Sequence, residues 1–324
     1  MAAVRAVRQP AGQKGPGQRG YGAVARRILR PGPALRGWLL VTPPVAVIAI
    51  FVCLSIAACL AYTLGDGAGI NATVSGIALH QSLGFPTTGA YRGVLTDPQF
   101  LASLRATVGV TVATTVAVVA LAWCLALWVR SSNSRVAKAI TALSVVPMFI
   151  PSVIGAYAIL QFYAPNGLPR TLAYHLGWSS APSFAYTLTG VVIGSVWAGL
   201  PFAVLMITSG LSAVPEALIE AARDAGAGAM RRFWMVILPL TLVPTIIAAA
   251  FTAIGTLGSF TLPYIVGPTA PALLGPLMQL TYSSFGQPQQ AEVMAVVLFA
   301  LALLAGVPYV WANFITARRS GGAR

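Results

Sequence analysis

The sequence predicts an all-α membrane protein with six transmembrane helices, and three observations predict it. Apolar residues make up 57% of the 324-residue chain and charged residues only 8%, whereas a soluble globular domain carries about a quarter charged. Six apolar runs are each long enough to cross a bilayer, which takes about 20 helical residues. The basic residues are shared very unequally between the two sides that those runs define. A mean hydropathy of +0.80 leaves little room for a water-soluble fold.

Taken in order, residues 1–36 are rich in Gly, Pro, Gln and Arg without hydrophobic periodicity, and they read as a flexible basic tail. A membrane domain over residues 37–317 follows, opening with a span at 38–64. Within that span Ile56-Ala57-Ala58-Cys59 looks like the lipid-attachment box of a bacterial lipoprotein signal. A leader ending there would be far longer than the usual 15 to 30 or so residues, so the run is read as a span. The next loop, about 65–106, is too short for a soluble domain of ordinary size, and Asp97-Pro98-Gln99-Phe100 in it predicts an interfacial helix.

The second span covers 107–129 and the third 139–162. Pro147 and Pro151 stand four residues apart in the third, which must therefore be kinked or partly unwound. The fourth span is 188–210. The fifth, 236–264, carries Pro239 and Pro244 and, towards its far end, Gly255, Gly258 and Pro263, which permit close helix approach or a cavity-lining backbone. The sixth is 291–316, and residues 318–324 read as a second tail. Trp128 and Trp311 sit near span ends as interfacial anchors.

Orientation follows from charge. With the amino terminus in the cytoplasm, 17 of the 20 Lys and Arg residues fall inside, and only Arg92, Arg105 and Arg170 fall outside. Both termini are then expected in the cytoplasm, with the chain crossing the membrane several times. The net charge of +14 is explained by topology, and a nucleic-acid partner is not expected. Cys53, Cys59 and Cys124 lie inside apolar runs without metal-ligand spacing, and His80 and His175 stand alone. No metal site and no catalytic constellation is expected.

Between the fourth and fifth spans lies Pro215-Glu216-Ala217-Leu218-Ile219-Glu220-Ala221-Ala222-Arg223-Asp224-Ala225-Gly226. Proline suits the first turn of a helix, Glu216 and Glu220 suit its amino-terminal half, and Gly226 suits a left-handed stop. A helix over 215–226, about 16 Å long, is predicted. Leu218, Ala221, Ala222 and Ala225 would give it a small-residue face able to lie closely in a groove.

This stretch resembles the "EAA" signature of permease subunits of binding-protein-dependent ABC importers. That signature reads Glu-Ala-Ala, three residues, Gly, nine residues, Ile, one residue, Leu-Pro. Here Glu220-Ala221-Ala222, Gly226, Val236, Leu238 and Pro239 occupy those places, with valine for isoleucine the one departure. The resemblance extends from about Asp97 to Thr316. It implies the type I importer permease fold and a coupling helix at 215–226 that inserts into a cleft on an ATP-binding subunit. Glu220, Ala221, Ala222 and Gly226 would be docking residues, with Arg223 and Asp224 at the rim. The implied partners are two ATP-binding cassette subunits, a second permease subunit, identical or related, and an extracytoplasmic solute-binding protein, and the implied location is the cytoplasmic (inner) membrane of a bacterium, multi-pass.

Nucleotide chemistry is expected in the partner, which would hold ATP and Mg. A Walker A loop needs Lys followed by Ser or Thr after glycine, and Lys14 and Lys138 are followed by Gly15 and Ala139. The chain is thus expected to be a transport subunit and not an enzyme. Gly258-Ser259-Phe260 through Pro263 to Gly267, together with the motif, looks most like the polyamine, ferric-iron and phosphonate group of permeases. A polyamine-like solute is expected, with sugars, ferric iron or phosphonates as alternatives. Polar or amphipathic residues within the spans nominate Tyr157, Gln161, Trp197, Thr252, Thr256 and Ser259 as pathway lining. An ion-coupled secondary carrier would need an ionisable relay inside the membrane; Glu292, at an interface, is the one acid near a span. A membrane-embedded enzyme would need a cluster of polar catalytic groups.

Overall fold

The computed structural model describes residues 33–65, 86–132 and 134–321. Most of the amino-terminal tail, most of the loop after the first span with His80, and the last three residues lie outside the described residues. Everything described is helix, turn or loop.

In chain order the helices are α1 (Pro33–Thr63), α2 (Gly89–Thr96), α3 (Pro98–Ser131), α4 (Arg135–Val145), α5 (Ser152–Phe162), α6 (Leu168–His175) and α7 (Leu188–Ser212). After these come α8 (Glu216–Asp224), α9 (Ala229–Arg232), α10 (Leu238–Leu240), α11 (Leu242–Leu257), α12 (Thr261–Val266), α13 (Leu274–Ser283) and α14 (Pro288–Gly321). Four stretches are long and apolar enough to cross a membrane unaided: Leu40–Thr63, Pro98–Ser131, Leu188–Ser212 and Pro288–Phe314. Two bent pairs bring the number to six: Arg135–Phe149 with Ser152–Phe162, bent by 111°, and Ala229–Leu240 with Leu242–Leu257, bent by 74°.

The chain divides into two compact units at Ile56. The described part of the first is the start of α1, where Trp38, Leu40 and Phe51 are exposed. The helix passes through Cys59 without a break and ends at Thr63.

The second unit is organised around α3. Asp97 caps it, accepting the Gln99 N–H at 3.0 Å, and Pro98 occupies its first turn. The interfacial helix expected after Asp97 is therefore the opening of α3 itself. Phe100 is fully buried with Val94, Leu274 and Val293, so packing holds this stretch in line with the span. Further along, Val110 packs with Val191, Leu262 and Val266. At the far end Val118, Ala122 and Ala126 pack with Val204, Ile207 and Leu211 of α7 and with Ala248 of α11.

Both bends have causes in the sequence. Pro147 has no N–H to continue α4, so the chain tightens into a 3₁₀ turn at Val146–Phe149. Ile150 then becomes extended, as a residue before proline prefers, and Pro151 restarts the helix as the cap of α5. The fifth span, expected as one run over 236–264, is broken. A π turn at Phe233–Ile237 precedes α10 with its Pro239, and the helix kinks at the fully buried Thr241. The Thr241 hydroxyl donates to the Ile237 carbonyl at 2.7 Å and fills the gap in the ladder. At its other end α11 stops at Leu257, and Thr261–Val266 is a separate helix, because Gly258 and Ser259 interrupt the periodic run. At the carboxyl end α14 continues to Gly321, into residues the sequence assigns to a tail.

The short helices α2, α6 and α13 lie in segments read from sequence as loops. One of them is tied directly to the axis: the Leu274 N–H at the start of α13 donates to the Thr107 hydroxyl of α3 at 2.9 Å. Large apolar side chains remain exposed around the outside, among them Phe149 at 82% and Leu304 at 67%. In water such a surface would be a liability, whereas in lipid or against another membrane subunit it is covered.

Candidate functional site

The loop between α7 and α11 carries the motif. Val214 is buried just beyond the end of α7, Pro215 turns the chain (φ −61°, ψ 131°), and α8 follows as nine helical residues. The motif helix is thus Glu216–Asp224, and the expected ends at 215 and 225–226 are its caps. Its stop is a Schellman arrangement: the Ala227 N–H reaches the Ala222 carbonyl at 3.0 Å and the Gly226 N–H the Arg223 carbonyl at 2.9 Å. Gly226 takes φ +78°, where a Cβ is disfavoured whatever the space, and no atom lies within 4 Å of the place a Cβ would occupy.

Glu220, Ala221, Arg223, Asp224 and Gly226 are exposed, while Ile219 and Ala222 are partly covered from beneath. The ion pair Arg130–Glu216, at 2.7 Å, is the only one among the described residues, so Glu220, Arg223 and Asp224 present unpaired charge to the outside.

Arg130 holds this helix in place. From the last turn of α3 its guanidinium donates to the Leu211 carbonyl, to the Val214 carbonyl at 3.1 Å and to the Glu216 carboxylate at 2.7 Å. The two carbonyls lie at and just beyond the end of α7, where a cation is favoured by the helix dipole; that of Leu211 also accepts the Val214 N–H at 3.2 Å. One side chain therefore joins the ends of α3 and α7 to the start of α8. A simple exposed ion pair contributes about 0–1 kcal/mol, but a forked donor on three acceptors also fixes direction. In the sequence this arginine reads only as a topology charge. Its signal was a lone Arg in the last turn of one span and a Glu in the first turn of the motif helix, 86 positions apart. Downstream, Phe233 in the π turn meets Trp123 of α3 edge-on at 5.1 Å and anchors the approach to the fifth span.

A second feature lies within the membrane body. A cavity of about 490 Å³ is lined by Trp197 and Phe202 of α7, Phe251, Thr252 and Thr256 of α11, and Ser259 just beyond it, with Pro147 and Ser152 from the bent third span. The Thr252 and Thr256 hydroxyls donate to the Ala248 and Thr252 carbonyls, each at 2.8 Å, so they turn lone pairs rather than protons to the cavity. No Asp, Glu, Lys, Arg or His is among the described residues lining it. Four of the six nominated pathway residues meet here: Trp197, Thr252, Thr256 and Ser259. Tyr157 and Gln161 do not; they are exposed on α5, whose buried side is Gly155 and Ala156. Gly155 lies so close under Trp197 that a Cβ would fall 2.4 Å from the indole ring. Ser195, Phe202 and Phe251 were not nominated, and helical phase alone does not distinguish them from packing residues. Glu292 stands on α14, outside the lining.

Residues 118–321, which include Arg130, α8 and the whole cavity lining, match the family described as binding-protein-dependent transport system inner membrane component. The molybdenum transport system permease protein ModB of Azotobacter vinelandii is 29% identical over 171 residues, covering 53% of this chain and 74% of that protein. The spermidine/putrescine transport system permease protein PotB of Haemophilus influenzae is 34% identical over 134 residues, covering 41% of this chain; the chain spans 47% of that relative's length. In fold the chain is similar to one in the crystal structure of a bacterial alginate ABC transporter in complex with alginate pentasaccharide-bound periplasmic protein. The TM-score is 0.62 over 87% of this chain and 98% of that one, at 16% identity, a likeness of fold alone.

Proposed function

We propose, on the premise that this chain belongs to the binding-protein-dependent transport system inner membrane component family, that it forms half of the translocation path of an ATP-driven importer and docks on its ATPase through α8. The observation that carries this reading is the motif helix. Glu220-Ala221-Ala222 and Gly226 build a short, exposed helix with a left-handed stop, braced on the membrane body by Arg130. One docking helix per chain calls for a second permease subunit, identical or related, to match two ATPase subunits, which hold the ATP and Mg. This chain then transmits conformational change and performs no hydrolysis of its own.

Arg130 makes the transmission concrete. Closure of the ATPase dimer would draw the two α8 helices together. Because Arg130 bonds α8 and the end of α7 at once, a displaced α8 carries the α3–α7 pair, which shares the core cluster of Val118, Ala122, Val204 and Ile207. Such a step shifts the population between inward- and outward-open arrangements by as much as the ATPase discriminates between them. Both termini and α8 would lie in the cytoplasm, so a cysteine introduced at Ala227 should resist an impermeant thiol reagent in intact cells, and labelling there would reverse the orientation.

The cavity supports a permissive path. Aromatic rings and hydroxyl lone pairs guide a polar solute without a charged anchor among the described lining residues. Relatives named for molybdenum and for spermidine/putrescine match the chain comparably. A polyamine-like solute fits the resemblance in the motif region, and its selection would fall to an extracytoplasmic binding protein; sugars, ferric iron and phosphonates are the alternatives. The test is isolation of the full chain from its native membrane. ATPase subunits should accompany the parent and be lost or uncoupled in Gly226→Val and Glu220→Lys. Assembly and uptake equal to the parent in both variants would overturn the assignment of α8.

A further inference from the structure

Beside the first turn of α8, lined by its Glu216 and Ile219, is a cavity of about 710 Å³ between the end of α3 and the start of the broken fifth span. Leu127, Ile237 and Phe233 form its apolar wall, and Trp128 and Trp234 stand among its lining residues. Two arginines line it as well. Arg130 is already committed to Glu216 and to the end of α7. Arg232 is partly buried, and its guanidinium makes no ion pair or hydrogen bond among the described residues.

With Glu216 cancelling one arginine, the lining retains one uncompensated positive charge next to an apolar wall. A partly buried cation without a partner is unfavourable unless an anion completes it. The guanidinium fork matches a phosphate diester. A free phosphate would leave the apolar wall bare. Trp128 and Trp234, 38% and 59% exposed at the ends of two spans, mark the level of lipid headgroups. We infer that this cavity holds one acidic phospholipid, its phosphate on Arg232 and its acyl chains along Leu127, Ile237 and Trp234. Basic pockets between helices at a membrane surface take anionic lipids in this way. The occupied site would touch Glu216 and Ile219 of α8, so the lipid would help set the resting position of that helix. This inference rests on the membrane embedding of the chain and not on the identity of the docking partner.

The experiment is native mass spectrometry of the full chain with whatever subunits accompany it, titrated separately with phosphatidylglycerol, phosphatidylcholine and inorganic phosphate. One phosphatidylglycerol should be retained in preference to phosphatidylcholine, with millimolar phosphate failing to displace it. Arg232→Gln should lower its occupancy about fivefold, the effect of one basic residue at a membrane surface, and Arg232→Lys should restore part of it. Arg231→Gln removes the same charge from an exposed neighbour whose guanidinium contacts only the Met235 sulfur among the described residues, and should leave occupancy unchanged. Equal loss in the Arg231 and Arg232 variants would mean diffuse surface attraction and would overturn the site. So would equal retention of phosphatidylcholine, displacement by phosphate alone, or an accompanying protein segment in place of lipid.

Discussion

The α8 loop and the membrane cavity, two parts of one 324-residue chain, are built on opposite plans. Around α8 the chain spends charge: Glu216, Glu220, Arg223 and Asp224 lie within one short surface helix, and a single forked arginine from the end of α3, Arg130, sets the geometry. Around the cavity the described lining has no charge, the Thr252 and Thr256 hydroxyls are turned back onto their own helix, and the Trp197 indole is seated closely over the small Gly155. A contact of the kind proposed for α8, formed and released against a soluble partner, can use charges that water screens. A path through the bilayer cannot leave a charge unpaired without a large penalty.

The sharpest way to break the contrast is at Gly226. With φ +78°, Gly226→Val should leave the amount of folded protein unchanged but reduce coupled uptake more than about tenfold, since the left-handed conformation alone costs on the order of 1 to 2 kcal/mol and more for a branched side chain. Gly226→Asn, tolerated in that conformation, should keep most activity. If Asn is as damaging as Val, bulk at the docking face matters and backbone does not. In the membrane body the corresponding change is Gly155→Ala, whose new methyl meets the Trp197 indole. It should lower thermal stability by about 1 to 3 kcal/mol through overpacking and reduce uptake in step with it. A stable variant with normal transport would show that the α5–α7 contact yields easily.

Smaller effects sharpen the comparison. Arg130→Ala should cost about 1 to 2 kcal/mol of stability by leaving the Val214 carbonyl and the Glu216 carboxylate without this donor, and should lower ATP-linked uptake about fivefold. Arg130→Lys should recover the ion pair with Glu216 but not the fork. An uptake rate in Arg130→Ala equal to the parent's would remove the brace from the transmission path. Smallest of all, Thr256→Val should change uptake less than about twofold, because its hydroxyl already serves the Thr252 carbonyl. A tenfold loss in a radiolabelled-solute assay would mean that the cavity reads the solute through that oxygen.

What the sequence revealed follows the same division. The α8 helix, its proline start and its glycine stop were legible because every signal is local, within twelve consecutive residues. Arg130 was not, because its partners are 81 to 86 residues away and its meaning exists only once α3 and α7 lie side by side. The spans themselves were legible from length and hydropathy, and the break near Pro147 and Pro151 from the missing N–H groups. The break of the fifth span at Thr241 was not placed, since Pro239 and Pro244 each allow a kink and only packing around the buried threonine selects one. Tyr157 and Gln161 stand on the exposed face of α5, away from this cavity, and in a membrane helix polarity alone does not say whether such a face meets lipid, a second subunit or a solute.

Arg130 makes demands of two kinds on the chain's descent. Against Glu216 it needs a particular side chain, so positions 130 and 216 should change together or not at all. Against residues 211 and 214 it needs only carbonyl oxygens, which every amino acid supplies. Half of the clasp is thus indifferent to mutation, and the turn between α7 and α8 can drift in sequence while the joint it forms is inherited intact.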